Sequence, residues 1–191
     1  MAAHQPDLPD LFAAPLLPGL ALTEDVVSPA EEADLAARID ASGLAPFRFQ
    51  GWEGKRLTRS FGYAYDFARG RLDQAPPIPD WLLPLRVRAA ALAGLEPEAL
   101  RQALLIRYDP GAAIGWHRDR PQFATVAGLS LGSPAVLRLR RRAGSRFERR
   151  TLPLPPRSLY VLADEARHGW EHSIAPGEAL RFSITFRSLA R

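Results

Sequence analysis

The chain has 191 residues, 47% of them apolar and 24% charged, a composition that suits one globular domain with its own core. It has no cysteine, which excludes disulfides, thiolate metal sites and a cysteine nucleophile. Its net charge of +4 rests on 25 basic residues, of which Lys55 is the sole lysine. That balance admits an acidic partner such as nucleic acid, and a composition rich in Ala and Arg accounts for it equally well.

Residues 1–18 carry Pro6, Pro9, Pro15 and Pro18 without periodicity and read as a loosely held arm. Ser28-Pro29-Ala30-Glu31 is a capping box with proline at the first helical position. Leu35 and Ile39 follow on one face, and Gly43 is the expected stop. A second helix is predicted over 80–93, with Trp81, Leu85 and Leu92 as its stripe, Pro84 in its first turn and Gly94 as its end. Short strands are predicted over 59–65, 102–108, 125–131, 135–140, 149–154, 158–162 and 180–187. Arg138, Arg140, Arg141, Arg142, Arg146, Arg149 and Arg150 flank Ala143-Gly144-Ser145 as a basic hairpin. Two helices followed by closely spaced strands predict an α+β chain with a sandwich or jelly-roll core. No apolar run reaches the roughly 18 residues of a membrane span, and no signal peptide is evident, so a cytoplasmic protein is expected.

Four histidines are available: His4, His117, His168 and His172. In His117-Arg118-Asp119, extended backbone would turn the imidazole and the carboxylate to one side. A second histidine would complete the two-His, one-carboxylate triad of non-haem Fe(II) oxygenases. His168 and His172 both qualify by position; Gly169, Trp170 and Pro176 argue against a helical pair, and His168 is read as a rim or solvated residue. In Arg181-Phe182-Ser183-Ile184-Thr185-Phe186-Arg187 the alternation is strict. An arginine on the inner face of such a strand is costly unless it meets an anion, and for this strand taken alone water on the polar face is the preferred reading.

Together, RYDPGAAIGWHRD (107–119), GLSLGSPAVLRLR (128–140), WEHSI (170–174) and RFSITFR (181–187) resemble the AlkB family of Fe(II)- and 2-oxoglutarate-dependent dioxygenases. The resemblance implies a double-stranded β-helix with two N-terminal helices packed on it. It implies one domain over 19–191, with helices and a substrate lid over 19–100 and the jelly-roll core over 101–191. By the same resemblance His117, Asp119 and His172 match the Fe(II) ligands. Tyr108, Arg181 and Arg187 match the residues around 2-oxoglutarate, and Trp52, Arg56, Tyr63 and Tyr65 fall in the substrate lid. The implied reaction is oxidative demethylation of N-alkylated bases in single-stranded DNA or RNA, releasing succinate, CO2 and formaldehyde, by a monomer. The same chemistry on a protein side chain or small molecule, or an inactive nucleic-acid-binding module, are the alternatives. Two positions depart from the repair enzymes of the family: Ile106 replaces a co-substrate-bonding asparagine, and Pro121 replaces an acidic residue near the base.

Overall fold

The computed structural model describes residues 16–49 and 52–190, the side chains of 48, 49, 52 and 53 excepted. The elements in chain order are β1 (Leu20–Thr23), α1 (Pro29–Asp40), β2 (Ala45–Phe49), β3 (Trp52–Phe61), β4 (Tyr63–Asp66), β5 (Arg71–Gln74), α2 (Leu83–Ala93), β6 (Leu100–Tyr108), β7 (Ile114–His117), β8 (Phe123–Gly132), β9 (Ala135–Ala143), β10 (Arg146–Leu154), β11 (Leu159–Leu162), α3 (Asp164–His168), β12 (Glu171–Ile174) and β13 (Arg181–Leu189). A seven-stranded sheet, ordered β1-β11-β8-β13-β6-β3-β2, faces a four-stranded sheet, ordered β10-β9-β12-β7. β4 and β5 form a separate hairpin. This is the predicted jelly-roll core with helices against it.

Both helices form as their local sequence dictates. Ser28 caps α1: its hydroxyl accepts from the Glu31 amide, and the Glu31 carboxylate accepts from the Ser28 amide. α1 stops at Asp40, before the expected Gly43. A 3-10 turn over Asp80–Leu82 leads into α2, which Gly94 ends in the left-handed conformation. Leu35, Ile39, Leu85 and Ala89 cover the outer face of the large sheet, where Ala103, Leu105, Leu129, Phe182, Ile184 and Phe186 are buried. A second apolar cluster fills the space between the sheets at one end, around Leu137, Leu139, Tyr160, Leu162 and Trp170. At the other end the interior is polar, with Gln102, Ser183, Thr185, Arg181 and Arg187 all buried. β13 alternates as predicted, but it is covered on both faces, apolar against the helices and polar toward the small sheet, which corrects the reading of its polar face as water-facing.

Three further expectations are corrected. Of the predicted arm, residues 1–15 lie outside the described residues, but its end is docked: Leu17 is buried in the inter-sheet cluster and the Pro18 carbonyl accepts from the Ala166 amide. The predicted strand over 59–65 is two strands, because Gly62 turns the chain at φ +75° with its α-carbon against the Arg101 carbonyl. Phe61 consequently enters the helix-side core, and Tyr63 and Tyr65 belong to a different hairpin. Thirdly, β7 ends at His117, so strand alternation does not carry Asp119.

Candidate active site

The small sheet brings the two histidines together. His172 on β12 lies opposite His117 on β7, their ring centroids 4.3 Å apart. The His117 Nδ1–H donates to the Gly115 carbonyl at 2.9 Å, because a carbonyl can only accept. That leaves Nε2 as the free lone pair, 3.8 Å from Asp119 Oδ1. One donor atom from each of His117, Asp119 and His172 lies within 4.8 Å of the others.

Asp119 sits in the loop after β7, and two arginines hold it there. Arg187 on β13 donates from Nε to Oδ2 at 3.2 Å and from Nη2 to Oδ1 at 3.4 Å. Its remaining nitrogen, Nη1, donates to Gln102 Oε1 at 3.0 Å, and Gln102 in turn donates to the Tyr63 carbonyl at 3.1 Å. Arg167 on α3 holds the loop itself. Its Nη2 reaches the carbonyls of Asp119, Arg120 and Phe123 at 3.1, 2.8 and 2.6 Å. The sequence reading missed α3, Arg167 and Gln102. Only the loop's lack of any strand partner would have called for such a clamp.

The electrostatics follow from this packing. Burial works to raise the Asp119 carboxyl, but the Arg187 guanidinium overcomes it and holds the group ionised, well below the usual range. Burial pushes His172 down to about 3, and neighbouring His117 adds to the effect. His117 is lowered as well, by burial, against the pull of Asp119. The cluster thus presents two neutral imidazoles and one carboxylate, the state a divalent cation requires.

Beside it, Tyr108 on β6 pairs directly with Arg181 on β13, and the guanidinium lies 4.8 Å from the phenol ring centroid. Arg181 is buried. Its Nη2 donates to Ser130 Oγ at 3.2 Å, while Nε and Nη1 have no partner among the described residues. A cavity of about 210 Å³ opens against Tyr108 and Arg181, closed on the far side by Ile174 to Gly177. Two orphaned, buried guanidinium donors fit a carboxylate. Ile106, at the departing position, is buried against Tyr108 and Ala112 and offers no donor.

The lid residues divide. Arg56 on β3 lies 3.8 Å from the Phe47 ring centroid, close enough to His117 and Arg187 to repel their positive charge. Tyr65 packs edge-on to Phe67, with Arg120 4.9 Å above it. Tyr63 is turned to Arg101, whose guanidinium donates to its hydroxyl at 2.9 Å. The Trp52 side chain lies outside the described residues. His168 is exposed at the end of α3, as expected, and His4 lies outside the described residues.

Comparison with known proteins agrees with this geometry. The family model of the 2OG-Fe(II) oxygenase superfamily matches residues 19–187. The tRNA (carboxymethyluridine(34)-5-O)-methyltransferase alkbh8 of Xenopus tropicalis is 28% identical over 181 residues, 87% of this chain. The match spans only 27% of that relative's length. Human alpha-ketoglutarate-dependent dioxygenase alkB homolog 4 is 29% identical, over 91% of this chain and 68% of its own. The solved structure of OsALKBH1 superposes with a TM-score of 0.71 at 16% identity, covering 91% of this chain and 98% of that one.

Proposed function

The chain belongs to the 2OG-Fe(II) oxygenase superfamily, on its AlkB side, and from that premise we propose that it acts as a monomer to remove N-alkyl groups oxidatively from bases in DNA or RNA. The observation that carries the reading is the conjunction of the His117, Asp119, His172 cluster with the orphaned Arg181 donors on the facing sheet. The family uses Fe(II) and 2-oxoglutarate. In this reading His117 Nε2, an Asp119 oxygen and a His172 nitrogen hold the iron, and Arg181 and Tyr108 hold the far carboxylate of the co-substrate. Bound together with O2, these groups supply the oxidant that turns a C–H bond into C–OH, with 2-oxoglutarate leaving as succinate and CO2.

The chain's own residues supply positioning. Gly115 fixes the His117 tautomer, so that one nitrogen alone faces the metal. Arg187 and Arg167 fix the carboxylate and the loop that carries it. Ser130 orients Arg181 from behind. With Ile106 contributing no donor, Tyr108 and Arg181 carry the co-substrate binding. A hydroxylated N-methyl group then loses formaldehyde without help from the protein. Relatives named for work on nucleic acid or its alkylation include the Xenopus enzyme above and an Alkylated DNA repair protein ALKBH8 homolog of Arabidopsis thaliana. The basic hairpin is consistent with a polyanion: Arg138, Arg142, Arg146 and Arg149 have no carboxylate partner among the described residues, whereas Arg140, Arg141 and Arg150 are paired with glutamates. No helix among the described residues is long and apolar enough to cross a membrane.

The test is incubation with Fe(II), ascorbate, 2-oxoglutarate and a pool of methylated single-stranded oligonucleotides, with succinate and oligonucleotide masses followed together. Loss of a methyl mass in the wild type and not in His172→Ala is expected. Succinate without any change in the oligonucleotides would move the substrate to a protein side chain or a small molecule. Absence of succinate from iron-loaded protein would overturn the enzyme reading in favour of a binding module.

A further inference from the structure

Two arginines near the site, Arg56 and Arg120, pair with no carboxylate among the described residues. On β3, Phe61 faces the helices beside Ala103, so Ser60, Thr58 and Arg56 point the other way, onto the interior face lined by Ile106 and Tyr108. The Arg56 guanidinium stacks on Phe47, which meets Phe67 edge-on at 5.4 Å. Phe67 meets Tyr65 at 5.0 Å, and Arg120 lies 4.9 Å from Tyr65 and 5.0 Å from Phe67. Three rings from β2, from β4 and from the turn after β4 thus cradle two guanidiniums. Arg120 directly follows Asp119, and Arg167 pins its carbonyl, so its backbone position is fixed relative to the metal cluster.

The acids nearby are already engaged. Asp119 is held by Arg187, Asp109 by Arg107, and Asp73 by Arg71. Asp66 accepts from the amides of Ala68 and Arg69. Neither Arg56 nor Arg120 has a carboxylate partner among the described residues. Burial lowers the Arg56 pKa and nearby Arg187 adds to that, so its charge is held there at a cost that the rings offset in part. A planar guanidinium in that state takes a pair of oxygens in bidentate fashion, and repels a cation.

We propose that Arg56 and Arg120 form an oxygen-reading subsite that selects a base carrying carboxylate or keto oxygens and rejects a cationic methylated base. This rests on the nucleic-acid binding of the reading above and concerns which base is held; 5-carboxymethyluracil, which has no N-alkyl group, serves below as a carboxylate-bearing binding probe.

The experiment uses protein loaded with Fe(II) and saturating 2-oxoglutarate under nitrogen, so that Arg181 is occupied and nothing turns over. Binding is measured for single-stranded pentanucleotides alike except at the centre: 5-carboxymethyluracil, 3-methyluracil, 1-methyladenine or an unmodified base. The carboxylate base is expected to bind about tenfold more tightly than the cationic one, with 3-methyluracil between them, and Arg56→Gln or Arg120→Gln to shrink the spread to about threefold or less. Tightest binding of 1-methyladenine, or an order unchanged in both variants, overturns the proposal. So does a loss of 2-oxoglutarate affinity in Arg56→Gln with the order intact, which would place Arg56 on the co-substrate. If no modified strand outbinds the unmodified one, the nucleic-acid reading falls. The subsite is then judged by titrating phenylacetate and phenethylammonium, probes of similar shape and opposite charge. A preference for phenylacetate that Arg56→Gln abolishes upholds the subsite, and equal or reversed binding refutes it.

Discussion

Arg187→Gln removes the cation that neutralises Asp119 while keeping a side chain able to bond Gln102. In the wild type the pair is almost dry: the side chains are 10% and 9% exposed, with contacts of 3.2 and 3.4 Å. Deleting one member of a buried ion pair costs about 3–5 kcal/mol, and the retained amide puts this case near 3. At roughly 2–4 °C per kcal/mol for a domain of this size, the metal-free protein should lose about 6–12 °C in Tm. A divalent cation in the cluster would supply the missing positive charge. The deficit should therefore shrink by at least half when Mn(II) is saturating. Thermal and urea unfolding in EDTA and in Mn(II), for wild type and variant, measure all four states. A metal-free loss below about 1 kcal/mol, or a deficit that Mn(II) leaves untouched, would refute the view that Arg187 acts as the counter-charge of Asp119.

Arg181→Met should stabilise the metal- and co-substrate-free fold by about 1 kcal/mol, because it removes a buried cation with two unpartnered nitrogens, while raising the KM for 2-oxoglutarate about 10- to 100-fold in a succinate assay. His172 is held near 3 against an ordinary value of 6.5, so the unfolded chain binds the extra proton between those limits. The contribution is complete above pH 6.5 and is lost progressively as pH falls toward 3, so metal-free urea stability should drop from pH 7.5 to pH 5, with a shallower drop in His172→Gln. A Cβ at Gly128 would sit 2.4 Å from Tyr160 Cζ, so Gly128→Ala should cost about 1–3 kcal/mol in urea unfolding, and Tyr160→Val in the same chain should recover most of it.

Local signals reported local structure faithfully. The capping box at Ser28, the Gly94 stop and the alternation of β13 each need only neighbouring residues, and each appears where the sequence put it. His117 and Asp119 were legible as a pair, but for a reason the structure does not support. Asp119 lies past the end of β7, and side chains 48 and 68 residues further along the chain place it. Such clamps leave no periodic trace. The break at Gly62 was hidden for a related reason: Phe61, Tyr63 and Tyr65 alternate perfectly across a turn held by distant backbone, the Arg101 carbonyl against Gly62 and the hydrogen bonds of Gly62 with Pro76 and Ala75. The charge of the hairpin was visible in composition, whereas its pairing with Glu148, Glu165 and Glu171 depends on register and on α3.

β13 has a consequence for how this protein can change. Arg181 and Arg187 stand six residues apart on one unbroken strand, one facing the co-substrate cavity and the other gripping Asp119. At about 3.3 Å per residue their α-carbons are about 20 Å apart, a ruler set by backbone geometry alone. Both faces of the strand are covered and both edges are bonded, to β6 and to β8. Deleting one residue between them would turn one arginine out into the apolar layer under the helices, and deleting two would shorten the ruler by about 7 Å. This one length therefore has no slack.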